Sequence, residues 1–134
     1  GTASLARLSN LSTRARVTAD NPLLTGFAIS GTGERTVLIR AVGPGLAGFG
    51  VAGALAAPLL RIFDASGNSF VENNGWAAAP ALTQAAAVSG AFPLASGSAD
   101  AAMLLTLPPG AYTVVTSGFG NTTGTALVEV YEVP

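Results

Sequence analysis

Short runs of β-branched and large apolar residues alternate along this chain with clusters of glycine, proline, asparagine and serine. That alternation is the pattern of strands separated by tight turns. Thr36–Val42 is β-branched and bounded by Gly33 and Gly43. Leu59–Phe63 and Ser69–Glu72 flank Asp64-Ala65-Ser66-Gly67-Asn68, where glycine supplies the positive φ that a hairpin turn needs. Ala102–Leu107 stops at Pro108-Pro109-Gly110, and Ala111–Thr116 follows it. Past Gly118-Phe119-Gly120-Asn121 comes the closing run Thr125–Val133, while Ser12–Val17 and Leu23–Ile29 supply two strands near the start. One helix is expected from Pro80 to Val88, with proline at its first turn and Gly90 just past its end. Residues 43–58 read as an ordered loop with room for a helical turn. The expected fold is all-β: an antiparallel β-sandwich, jelly-roll-like, with seven or more short strands and at most one short helix. With no linker, repeat or low-complexity stretch, residues 1–134 read as one domain.

The two faces of these strands are less distinct than a half-buried sheet requires. In the closing strand Ala126, Val128 and Val130 share one side, and Leu127, Glu129 and Tyr131 the other. Met103, Leu105 and Leu107 oppose Ala102, Leu104 and Thr106 in the strand before the double proline. A sheet with one wet face alternates apolar and polar cleanly. These strands do not, so a loop, the helix or another molecule is expected to cover part of the second face.

Composition narrows the chemistry. The 134 residues include no histidine, cysteine or lysine. Only 10% are charged, against about 25% in an ordinary soluble domain, and 49% are hydrophobic. Without histidine or cysteine, a nucleophile–base pair cannot be assembled in the usual way. The carboxylates Asp64, Glu72, Asp100, Glu129 and Glu132 are not placed in pairs by any spacing, so no catalytic residue is assigned. A net charge of −1 and six scattered arginines exclude the basic stripe that nucleic acid requires. No apolar run approaches the roughly 18 residues of a transmembrane helix. The chain opens Gly1-Thr2-Ala3 without an initiator methionine, which fits a mature secreted protein after signal removal.

Gly43-Pro44-Gly45-Leu46-Ala47-Gly48 matches G-x-G-x-x-G directly after a strand, and Asp64 lies about twenty residues on, as in a dinucleotide-binding unit. The helix that would follow carries Gly48, Gly50 and Gly53, each costing about 1 kcal/mol relative to alanine. Pro58 then closes off any lengthening. A tight glycine loop between sandwich strands is the better reading, and no cofactor is assigned. Asp64, Ser66, Asn68 and Glu72 form an oxygen-rich cluster that suggests Ca²⁺, although Asp64–Asn68 is equally a good type I turn. Trp76 reads as a loop anchor; exposed, it would mark a ligand spot. Arg40 and Arg61 each lie inside an apolar strand, and a buried guanidinium needs a carboxylate. Glu129, also mid-strand, is the natural partner.

Leu105-Thr106-Leu107-Pro108-Pro109-Gly110-Ala111-Tyr112-Thr113-Val114-Val115-Thr116-Ser117-Gly118 resembles the end of bacterial pre-peptidase C-terminal-type sandwich domains. Ile62–Asn68 resembles their hairpin, so the resemblance spans roughly residues 59–133. Arg7–Arg14, Val37–Pro44 and Phe49–Leu55 resemble modules of large bacterial secreted and cell-surface proteins. The resemblance implies a non-catalytic extracellular module. Relatives that bind calcium near the hairpin carry more acidic residues than Asn73-Asn74 offers here, which counts against a metal.

The expected function is a structural subunit that self-associates, by β-strand augmentation, into a surface fibre or array. Its interface candidates are Leu5, Leu8 and Leu11 near the start and Leu127, Glu129 and Tyr131 in the closing strand. The expected state is a homo-oligomer or polymer, extracellular or on the cell surface. The alternative is an accessory binding module for a polysaccharide or protein, Ca-assisted, which predicts an exposed Trp76 or tyrosine platform.

Overall fold

Each apolar run expected as a strand folds as one, and most pair with a distant partner. The computed structural model describes residues 10–134. Its strands are β1 (Asn10–Val17), β2 (Leu23–Ile29), β3 (Arg35–Val42), β4 (Pro58–Phe63), β5 (Ser69–Asn73), β6 (Ala101–Leu107), β7 (Gly110–Gly118) and β8 (Gly124–Glu132). One helix, α1 (Pro80–Ser89), lies between β5 and β6. Proline stands in its first turn, and Gly90 ends it in the left-handed region at φ 79°. The loop after β3 contains a 3-10 turn over Pro44–Phe49.

Sheet 1 has the order β1-β8-β3-β6 and sheet 2 the order β2-β7-β4-β5. β1 pairs with β8, β2 with β7, β3 with β6 and β4 with β5, all antiparallel. The chain is thus one long hairpin, bent at the Asp64–Asn68 turn and rolled over. Two further antiparallel ladders, β3–β8 and β4–β7, close the roll. This is jelly-roll connectivity.

Between the sheets Ile39, Leu60, Ile62, Val114, Val128 and Val130 are fully buried, with Phe27, Met103 and Tyr112 beside them. β3 is buried on its other face as well. Leu38 and Tyr131 pack under Ala85 and Ala86 of α1, with Leu82, Ala91 and Val133 around them. A strand covered on both sides reads as a continuous apolar run, which accounts for the indistinct faces. The cover of the second face is α1 and the segment that follows it.

The sheet order corrects the expected interface. β8 lies between β1 and β3 and uses both of its ladders, so the closing strand has no free edge to donate. Glu129 and Tyr131 are buried, Leu127 is half-buried, and Leu11 turns inward against the core. Leu5 and Leu8 lie outside the described residues.

Leu38 and Leu104 stand opposite each other across β3 and β6, on the same sheet face. Only Leu38 lies under α1, with no exposure; Leu104 is 36% exposed. Leu38→Ala should therefore cost about 2–4 kcal/mol in urea unfolding, and Leu104→Ala under about 1 kcal/mol. Equal losses would mean that α1 does not seal this face.

Candidate functional site

The polar groups of greatest consequence lie beneath α1. Arg40 is 1% exposed and stands in register with Glu129 of β8 on one side and Ala102 of β6 on the other. Its Nε donates to Glu129 Oε1 at 2.9 Å, and its Nη1 donates to the Phe92 carbonyl at 2.6 Å. Nη2 also sits 2.9 Å from Oε1, but off the angle for a hydrogen bond, so its protons remain unaccepted. The guanidinium lies over the Phe92 ring at 4.5 Å. Glu129 Oε2 accepts from the Tyr131 hydroxyl at 2.6 Å. Burial and the hydrogen bond to Glu129 push the Tyr131 hydroxyl pKa up to about 12, with Arg40 pulling the other way. The charges cancel within the network, which leaves no free ion for a substrate.

Of the two arginines that interrupt apolar strands, Arg61 is not the buried one. Its side chain is 47% exposed and lies 4.0 Å from Glu72 on the outside of sheet 2. Leu60 and Ile62 take the inward positions of β4, so the strand's alternation turns Arg61 to solvent.

The glycine loop does cradle an anion, but one of the protein's own. Asp100 is fully buried. Its Oδ1 accepts from the amides of Gly43 at 2.8 Å and Gly45 at 3.1 Å, and its Oδ2 accepts from Ser98 Oγ at 2.7 Å. A Cβ on Gly43 would run into the Leu55 carbonyl, and one on Gly45 would press on Val42 and Asp100. The glycines thus serve close backbone approach, as in a phosphate loop, with a carboxylate in the phosphate's place. No signal in the sequence links Asp100 to a loop more than fifty residues away in the chain.

Trp76 is 6% exposed. Its indole N–H donates to the Ala95 carbonyl at 3.2 Å, and its amide donates to the Asp100 carbonyl at 2.9 Å. It anchors the loop before α1. Tyr112 is also buried, its hydroxyl donating to the Pro108 carbonyl at 2.7 Å. The aromatic platform that a sugar-binding module would expose is therefore not built from Trp76 or either tyrosine.

At the Ca²⁺ candidate, Asp64 Oδ1 accepts from the amides of Ser66 at 2.9 Å and Asn68 at 3.1 Å, the bonding of an Asx turn. Glu72 instead faces Arg61. Among the described residues no three Asp, Glu, His or Cys side chains gather as metal ligands.

Two surface features remain. A cavity of about 270 Å³ lies between α1 and sheet 1, walled by Trp76, Leu82, Ala86, Leu94 and Ala102. Among the described residues no helix lies over the outer face of sheet 2, which presents Leu24, Gly26, Ala28, Ala111, Thr113 and Val115.

Breaking the buried pair leaves one uncompensated charge, whereas replacing both ions does not. Arg40→Met should cost about 3–5 kcal/mol in urea unfolding, and adding Glu129→Leu should recover at least half of that. Additive losses would mean that the pair is not coupled. The raised Tyr131 pKa gives a second expectation. Below pH 10, the ordinary tyrosine value, the hydroxyl is neutral whether the chain is folded or not, and its contribution is fully present. Between pH 10 and 12 only the unfolded chain ionises, so stability falls by up to about 1.4 kcal/mol per pH unit. Tyr112 is raised by burial in the same direction. Tyr131→Phe should thus reduce this alkaline slope without abolishing it, as read from urea unfolding at pH 9, 10 and 11.

No family model matches the chain, and no curated protein does. Among solved structures, the crystal structure of the pre-peptidase C-terminal domain of collagenase from Bacillus anthracis superposes with a TM-score of 0.54. The match covers 91% of this chain and 89% of that one, at 13% sequence identity. It runs well beyond the 59–133 stretch that carries the sequence resemblance. At such identity the likeness is one of architecture: the chain has the β-sandwich fold of a bacterial pre-peptidase C-terminal domain.

Proposed function

We propose that this chain is a non-catalytic extracellular building block of a bacterial surface or secreted protein, and that it associates with copies of itself at an open strand edge. The observation that carries this reading is β2. Among the described residues it is an edge strand paired only with β7, and its sequence Leu-Leu-Thr-Gly-Phe-Ala-Ile holds neither charge nor proline. Leu24 on it is 61% exposed. Natural edges are usually blunted by charge, proline, a bulge or a side-chain cap, and each of the other three edges carries at least one such feature. β1 presents Arg14 and Arg16, β5 is short and carries Glu72, and on β6 the Ala102 amide is taken by Asn73 Oδ1 at 3.1 Å. With β8 locked between two neighbours, the remaining candidate donor is the segment before β1, with Leu5 and Leu8. Fully extended, its nine residues span about 30 Å.

A second reading is favoured by the likeness to the pre-peptidase C-terminal domain of a collagenase together with the uncovered face of sheet 2. Here the chain is a binding module that holds a protein or polysaccharide surface through that face.

Light scattering across a wide concentration range, with electron microscopy, separates the two. Self-association predicts growing assemblies or filaments, returned to monomer by Leu24→Lys or by removal of residues 1–9. Leu24→Lys should leave the melting temperature within about 2 °C, since the side chain is exposed. A parent protein that stays monomeric throughout sinks the first reading, and saturable binding in a collagen and glycan panel would then support the second.

A further inference from the structure

The cavity beneath α1 is shaped by small side chains. Helix α1 turns Ala86 and Ala87 toward it, β6 floors it with Ala102, and Leu38, Leu82, Pro93, Leu94 and Trp76 complete its walls. Where larger residues would have filled the space between helix and sheet, about 270 Å³ stays open. Most natural helix–sheet contacts pack without voids much larger than a water molecule, so an opening of this size is an unusual feature.

The polar groups on its border have internal partners, except the Arg40 Nη2 protons, which remain unaccepted. Arg40 is held by Glu129 and the Phe92 carbonyl, and its charge is neutralised there. The Trp76 indole N–H is committed to Ala95, and the Thr83 hydroxyl points to the Ala79 carbonyl at 3.5 Å. An ion entering this space would lose its hydration and meet no free counter-charge. A neutral apolar molecule would lose little and bury its surface against leucine, alanine, proline and indole.

We propose that this cavity is a binding site for a small, neutral, apolar molecule, of the size of one or two fused rings or a short branched chain. The inference is independent of whether the protein self-associates.

The chain's single tryptophan lines the cavity and reports on it directly. The probe is N-phenyl-1-naphthylamine, which is neutral and accepts energy from tryptophan, titrated into the whole chain. Its counterpart is 8-anilino-1-naphthalenesulfonate, which has the same ring system with an added negative charge. The neutral probe should bind saturably at one per chain, with energy transfer from Trp76, and at least tenfold more tightly than the sulfonate. Ala87→Leu, at the cavity's solvent-facing rim, should fill it and weaken the neutral probe at least tenfold. Thr83→Leu should act likewise and covers the case in which Ala87→Leu disturbs the helix, as judged by circular dichroism. Leu24→Ala, on the opposite sheet, should change nothing. Non-saturable binding, equal affinity for the sulfonate, or binding indifferent to both filling variants would overturn the proposal.

Discussion

The pairing of Arg40 with Glu129 is the constraint around which this sandwich is arranged. An arginine taken to 1% exposure requires a carboxylate in hydrogen-bonding geometry, because an unpaired interior charge costs several kcal/mol. Antiparallel register supplies that partner only when β3 and β8 align as they do. A slip of one residue would set Arg40 against Val128 or Val130 and turn the inward valines outward. The pair also dictates what must lie above it. The guanidinium needs a further acceptor and a flat lid, and the segment after α1 delivers both in Phe92: its carbonyl to Nη1 and its ring over the charge. Buried pairs seldom add much net stability. This one has its effect by admitting a single register and a single cover.

The cover itself is thin. Helix α1 contributes Leu82, Ala85 and Ala86 to the packed face, and its other residues are small or exposed. Proline at its start and glycine at its end define its length more than any capping side chain does. Its attachment at the near end comes from Trp76, which ties the preceding loop to Asp100 and Ala95. Asp100 in turn holds the glycine loop after β3. A chain of hydrogen bonds thus runs from the glycine loop through Asp100 and Trp76 to the foot of the helix, with few large apolar contacts. A helix fixed at its ends and packed through alanines leaves space beneath its middle, and the cavity is the outcome.

Much of this was legible in the residues, and the exceptions share a cause. β6 and β8 read as apolar on both faces, which called for a cover, and the proline–glycine bracket placed the helix that provides it. Glu129 in mid-strand identified itself as the partner of a buried arginine. Arg61 was indistinguishable from Arg40 by the same test, since both interrupt apolar strands with an alternation of two. Only the position of a helix over one sheet and not the other separates them, and that is settled by tertiary arrangement. The central place of β8 was hidden for a related reason. Strand order in a rolled hairpin follows from pairings between residues more than a hundred positions apart, such as Asn10 with Tyr131. Local pattern carries no trace of that. The filling of the glycine loop by Asp100 is equally non-local.

The asymmetry between the two sheets gives the scarcity of charge a definite meaning. On sheet 1 helix α1 seals the middle of the outer face, and Arg40 and Glu129 there are spent on each other within the interior. On sheet 2 the outer face is bare, and Arg61 with Glu72 is the charged pair that crosses it. Thr, Ala, Gly and Val occupy the middle of that face, a surface that neither repels a neighbour nor offers a polar group with a stringent geometric demand. Its border, β2, carries no charge. A small sandwich can keep such a face and edge open and remain dispersed only at low concentration, because the main-chain groups of an unguarded edge pair readily with any extended segment. Low charge, an uncovered sheet face and an unblunted edge on that same sheet are thus one property seen at three scales, and together they fit a protein built to lie against something.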